Sequence, residues 1–324
     1  MRKEKSENLI VIVGNGFDLA HNLKTGFNHF ADFYFEEIIW KEILLEVNTQ
    51  NSKITTESFK DRVKNILTLQ KFPETKIALD KLSNVLIKKF SKDDEEFNEF
   101  LNLIEKNNIN NAKDFLKNNY EVLKSIISNS FIASLYSEKN YNWFDIEQAY
   151  YRELVNIYDN KHQITFPGNE DTESNKDKLL KLNSEFSEIK NHFRNYLIEK
   201  TKPLEDRNVY VSFKEHFKER ENITFINFNY TNTIEHYFRL KNDRDLNIKT
   251  IKNIHIHGKL DQDIVFGYGD DTDSNYQKMK NSKQKEYLRN FKTFNYFKND
   301  NYRKFLNSLA IMENYDVLII GHSL

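Results

Sequence analysis

The residues Leu9-Ile-Val-Ile-Val13 form an unbroken aliphatic run that stops at Gly14-Asn15-Gly16. A half-exposed strand alternates apolar and polar residues, whereas a strand buried on both faces reads as a continuous apolar run. The segment therefore predicts an interior strand of a parallel sheet. Glycine placement sharpens the reading, because 324 residues contain only 8 Gly and 3 Pro, against average usage of about 7% and about 5%. Gly14, Gly16, Gly258, Gly267, Gly269 and Gly321 all follow, or lie close to, short apolar runs. In so glycine-poor a chain they mark places where the backbone turns sharply or approaches another group closely.

Strand-like runs return only late, at Ile223–Asn227, Thr250–His257, Ile264–Phe266 and Val317–Ile320, with helical patterns at about Thr231–Lys241 and Lys278–Met312. Strands alternating with helices predict an α/β fold with a Rossmann-like, doubly wound parallel sheet. From about Phe27 to Lys200 the apolar spacing is three and four residues, as in Phe59, Val63, Ile66, Leu67 and in Ile77, Leu79, Leu82, Val85, Leu86. That spacing predicts helices. The expected organisation is a split Rossmann-like nucleotide-binding domain, residues 1–26 and 204–324, carrying a helical insertion subdomain at 27–203. Pro73 and the Pro167-Gly168 pair punctuate the insertion, and the polar stretch Phe166–Lys176 is expected to be a disordered loop.

Composition removes several functions. With 48 Lys+Arg against 49 Asp+Glu the formal charge is −1, so no net basic field draws the chain to nucleic acid or anionic lipid. With no Cys, thiolate nucleophiles, disulfides, Fe–S clusters and Cys-containing zinc modules are excluded. The 26 Phe and 17 Tyr predict a globular chain with an aromatic core. The run Leu9–Val13 is too short for a signal-peptide core and no stretch is long enough to span a bilayer, so the expectation is a cytoplasmic protein without membrane contact.

Four clusters carry candidate chemistry. The strand-to-helix turn Gly14-Asn15-Gly16-Phe17-Asp18 can cradle a phosphate with backbone N–H groups, although Leu19 stands where a third glycine would complete a dinucleotide fingerprint. The competing reading is a tight turn with Asp18 capping the helix. Phe228-Asn229-Tyr230-Thr231 follows a strand, where ligands lie in open α/β sheets. Asn229 and Thr231 can bond a sugar hydroxyl or orient a water there, or the segment can cap a helix through Asn232 and Glu235. In His255-Ile256-His257-Gly258 both imidazoles share one strand face and offer a general base or metal ligands. Gly321-His322-Ser323 is not a hydrolase elbow, since the Asp and His of that triad follow the Ser; a loop closing over a ligand fits better, and the natural chain is expected to continue past Leu324. Trp143-Phe-Asp145-Ile-Glu147 reads as a helix start, with Asp145 paired to Gln148.

Taken together, Gly14 to His21 with Lys24-Thr25, Trp143 to Glu147, Phe228 to Thr231, Ile256-His257-Gly258 and Gly321 to Leu324 resemble the AbiH family of phage abortive-infection proteins. That family is similar in turn to sirtuin-like NAD-processing domains. The resemblance implies a catalytic His257, an Asn229 that contacts the nicotinamide ribose, and a dinucleotide site formed by Gly14, Asn15, Gly16, Phe17, Asp18, Thr231, Gly258, Gly321, His322 and Ser323. It implies NAD as substrate or ligand, with no metal. Protein deacylation is disfavoured, because the sirtuin zinc module needs four Cys. The expected function is an antiphage effector that hydrolyses NAD or a related nucleotide. Two alternatives stay open: a non-catalytic nucleotide sensor, and a metal-dependent nuclease using His255, His257 and Asp270 or Asp271. Expected partners are the nucleotide, a phage-derived trigger or partner defence protein, and further copies of the chain.

Overall fold

The computed structural model describes residues 6–39, 114, 129–136, 143–160, 174–201, 211–239, 248–269 and 272–322. Among them, β1 (Asn8–Val13), β2 (Asn222–Asn227), β3 (Thr250–His255) and β4 (Asp316–Ile320) form one parallel sheet in the order β3-β2-β1-β4. The first and last strands are direct neighbours, with Ile10 opposite Val317 and Ile12 opposite Ile319. On its other side β1 pairs with β2, Val11 opposite Phe225. Strand order thus runs one way from β1 to β3 and reverses at β1 to reach β4.

The described helices are α1 (Asn15–Ala20), α2 (Phe27–Tyr34), α3 (Ser130–Tyr136), α4 (Trp143–Tyr158), α5 (Asn175–Lys200), α6 (Val211–Glu215), α7 (Thr233–Arg239), α8 (Ser274–Asn281), α9 (Lys292–Tyr296) and α10 (Asn301–Ala310). Helices cover both faces of the sheet, which is why β1 is apolar from Leu9 to Val13. One face buries Leu9, Val11, Val13 and Phe225 against Phe17 of α1, Phe213 of α6, Phe217, and Ile234 and Tyr237 of α7. The other buries Ile10, Ile226 and Ile254 against Tyr296 of α9 and Phe305 and Leu309 of α10. Each such aliphatic or aromatic side chain contributes roughly 1.5–3 kcal/mol when buried.

The chain divides into two compact units. The first, Met1–Phe30, Asn142–Lys161 and Asn175–Leu324, holds the sheet. The second comprises Ala31–Tyr141 and His162–Ser174. Within its described part, α3 begins at a side-chain cap, Asn129 Oδ1 accepting from Ile132 N–H at 2.8 Å. The Phe59–Leu86 helical pattern, Pro73 and Pro167-Gly168 lie outside the described residues.

Three expectations change. The run Thr250–His257 is strand only to His255, because Ile256 and His257 enter a turn whose Gly258 has φ +82°. Ile264–Phe266 is not a strand of the sheet; it is a buried segment without regular secondary structure, with Val265 N–H donating to His257 O at 2.7 Å. Lys278–Met312 is no single helical stretch. It breaks after α8, where Lys283 takes φ 61°, then passes through a short 3-10 turn at Lys285–Leu288 to α9 and α10.

Gly321 ends β4 with φ +61°, and a Cβ there would lie 2.1 Å from Phe17 N. Gly321→Ala therefore combines a left-handed penalty of about 1–2 kcal/mol with a backbone clash, and should lower the thermal midpoint by at least about 4 °C. A Cβ at Gly269 meets only Lys292 Cδ, at 3.5 Å. Gly269→Ala should leave the midpoint nearly unchanged in the same calorimetric scan.

Candidate functional site

The carboxyl ends of β1 and β4 are locked together by backbone contacts that only glycine permits. Gly14 N–H donates to Ile320 O at 3.0 Å, Gly16 N–H to Gly321 O at 2.8 Å, and Phe17 N–H to Gly14 O at 3.0 Å. A Cβ on Gly14 would lie 2.5 Å from Gly321 O, and one on Gly16 2.9 Å from Gly321 Cα. Asn229, just past β2, completes the join by donating from Nδ2 to Gly14 O at 3.0 Å. The close approach these glycines allow is to the end of β4.

Above this join lies a cavity of about 430 Å³, within the size range of small-molecule sites. Gly14, Asn15, Gly16, Asp18, Asn229, Thr231, His257, Gly321 and His322 line it. Phe17 instead packs into the core against His21, Phe213 and Tyr237. Gly258 shapes the turn after His257, where a Cβ would meet Asp263 O at 2.9 Å. Ser323, Asp270 and Asp271 lie outside the described residues.

Asp18 is the most unusual group here. It stands inside α1 rather than capping it, the N-cap being Gly14, and it is 1% exposed. Thr231 donates to Oδ2 at 2.6 Å and Thr233 to Oδ1 at 2.7 Å. Burial pushes its carboxyl up from 3.8 to about 6, against the hydrogen bonds of Thr231, Thr233 and Asn229 and the charge of His255, which pull the other way. His255 sits behind the cavity, donating from Nδ1 to Asn229 O at 2.9 Å, with Nε2 3.0 Å from Glu235 Oε1. Burial pushes Glu235 up, but the hydrogen bond and charge of His255, with Lys259, outweigh it and hold the carboxyl down at about 2.

His257 reaches the cavity from beyond the end of β3. Its Nδ1 lies 3.1 Å from Phe228 O and its Nε2 3.1 Å from the Tyr296 hydroxyl. A carbonyl only accepts, so Nδ1 carries the proton and the neutral ring offers its Nε2 lone pair to Tyr296. Burial and then the charge of Lys292 hold this imidazole well below its ordinary 6.5. His255 and His257 thus have their ring nitrogens engaged by protein groups, and among the described residues no cluster of three or more His, Asp or Glu is arranged to hold a metal ion.

Sequence reasoning missed part of the lining. Glu147, read as part of an ordinary helix start, projects from α4 into the cavity and bonds Lys292 Nζ at 2.7 Å and Gly267 N–H at 3.1 Å. Burial pushes its carboxyl up while Lys292 pulls it back. The helix is aimed by Tyr150, stacked on Phe186 of α5 at 4.0 Å and bonded to Asn183 and Asn290. Phe193, Leu197, Phe228, Tyr230 and Phe266 form the apolar wall, with Thr25 beside Asn15. The density of Trp143–Glu147 was a usable signal for Glu147; nothing in the run around Lys292 singled it out.

The described residues thus define an α/β protein, with a parallel sheet and an aromatic-walled cavity at the sheet's carboxyl edge. The family model described as Bacteriophage abortive infection AbiH matches residues 10–324, and the chain belongs to that family. Membership indicates a role in abortive infection, a defence against bacteriophage. No curated protein and no solved structure matches the chain significantly. No helix among the described residues is long and apolar enough to cross a membrane.

The folded state holds a proton on Asp18 that the unfolded chain releases near 3.8. Stability should therefore fall as pH rises from about 4 to about 6, by roughly 3 kcal/mol in all. Asp18→Asn keeps the shape and removes the charge. It should raise the thermal midpoint at pH 8, and the gain should vanish by about pH 4. Melting curves of both proteins across that range check the expectation, and a lower midpoint for the variant at pH 8 would refute it.

Proposed function

We propose that this AbiH-family protein acts in abortive infection by binding and hydrolysing NAD or a related nucleotide, on a Rossmann-like, sirtuin-like domain. One observation carries the reading: the cavity opens at the carboxyl ends of the strands, where strand order reverses, which is where open α/β sheets bind nucleotides. Its aromatic wall suits a planar base, and its polar floor suits a ribose. Nicotinamide is cationic within NAD and leaves neutral, so the reaction needs positioning and deprotonation more than a covalent intermediate. In this reading His257 Nε2, now accepting from Tyr296, takes a proton from a ribose hydroxyl or water. Asn229, fixed to Gly14 O, holds that part of the site in register with the Gly14–Asp18 turn and Gly321. His322 lines the side nearest β4.

The non-catalytic sensor uses the same cavity and differs only in turnover. Purified protein should release nicotinamide from NAD, and His257→Ala should slow that release about 10²–10⁴-fold. The same variant leaves the Tyr296 hydroxyl without its acceptor, at about 1–3 kcal/mol of stability. It should lose phage protection in plaque assays while remaining folded. NAD binding without release would favour the sensor, and absence of both would overturn the proposal.

A further inference from the structure

A buried carboxylate normally has a cation beside it, because removing a charge from water is otherwise unfavourable by several kcal/mol. Asp18 forms no ion pair among the described residues. Its oxygens rest on the Thr231 and Thr233 hydroxyls, with the Asn229 amide and the more remote His255 as its other polar neighbours. The cavity also contains a partly buried ammonium, Lys292, but that group is already bonded to Glu147 at 2.7 Å. Asp18 is therefore the unmatched charge of the lining. Nor does the adjoining glycine turn supply a phosphate cradle, since the amides of Gly14, Gly16 and Phe17 donate to protein carbonyls. A cavity built this way favours a group that carries or develops positive charge over a phosphate.

We infer that Asp18 makes the cavity a site for the cationic N-riboside end of the substrate and is a catalytic residue there, a reading that rests on the nucleotide hydrolysis proposed above. A pyridinium riboside places its charge against the carboxylate. The bond between the ribose anomeric carbon and the ring nitrogen breaks with its electron pair passing to nitrogen, so the base departs neutral. Positive charge shifts to the sugar, where Asp18 stabilises it. A water oxygen forms the new bond to that carbon, and the proton it loses passes to His257 Nε2, the base proposed above, and from there to solvent. Selectivity follows from the same charge: the pyridinium riboside is the recognised unit, and the pyrophosphate of a dinucleotide contributes little here.

Calorimetric titration with 1-methylnicotinamide, a pyridinium cation, and with neutral nicotinamide separates this inference from the hydrolytic reading. Wild-type protein at pH 7.5 should prefer the cation by about 10-fold, equivalent to about 1.4 kcal/mol. The preference should fade as pH drops below about 6 and be absent in Asp18→Asn. Nicotinamide riboside and NAD should both be hydrolysed, and Asp18→Asn should slow both by about 10²-fold or more. A raised midpoint for Asp18→Asn at pH 8 shows that any loss is not unfolding. An equal cation preference in wild type and variant overturns the cation site even if NAD is consumed. Undiminished hydrolysis by Asp18→Asn overturns its catalytic role. An Asp18-dependent preference without nicotinamide release supports the cation site and overturns the hydrolytic reading instead.

Discussion

Two segments of backbone touch where Gly321, at the end of β4, lies against Gly16 and Phe17 at the start of α1, and the site inherits its shape from that contact. No side chain fits between them: a Cβ on Gly321 would fall inside the radius of Phe17 N and of the Gly16 carbonyl carbon. The hydrogen bonds from Gly14 to Ile320 and from Gly16 to Gly321 then fix the level at which β1 and β4 stop. Because α1 begins at this join, Asp18 is carried to a set position one turn later. There it meets Thr231 and Thr233, which arrive from the far end of β2. Asn229 ties the remaining corner. Residues on three strands thus share one frame because their glycines leave no slack.

Inside that frame the polar groups are supported unequally. Glu147 and Lys292 answer one another, as do Glu235, His255 and Lys259 behind the cavity wall. Asp18 is answered only by neutral hydroxyls, an amide and a more distant imidazole. An arrangement selected for stability alone would place an uncharged residue there. Strain of this kind, local and offset elsewhere in the fold, is typical of positions kept for binding or chemistry.

Much of the sheet was legible from pattern. β1 and β4 announce themselves as short aliphatic runs and β2 as a β-branched and aromatic one, and the scarcity of glycine made Gly14, Gly16 and Gly321 conspicuous. The strand after Thr250 was drawn too long because Ile254-His255-Ile256-His257 keeps its alternation past the point where the backbone turns; only Gly258 marks the exit. Ile264–Phe266 reads as a strand because it is apolar, yet its burial comes without strand pairing, and Phe266 stacks on Phe186 of α5 at 5.1 Å. Between Lys278 and Met312 no Gly or Pro announces the breaks, and Lys283 adopts its left-handed conformation without the residue type that usually signals one. The environment of Asp18 was beyond reach for a different reason. Its partners lie more than two hundred positions away, so nothing local distinguishes it from a helix cap.

The pairing of β1 with β2 and β4 also governs when the site can exist. During synthesis β2 follows β1 by about two hundred positions and β4 by about three hundred. Closing loops of that length is slow compared with forming local helices, and the central strand waits with both of its edges unpaired. Helices such as α4 and α5 can form in the meantime, but the floor of the cavity cannot, because it requires Gly321 against Gly16. A chain that has not yet reached β4 therefore has much of the site's sequence without its geometry, and the cavity comes into being only when β4 has been made.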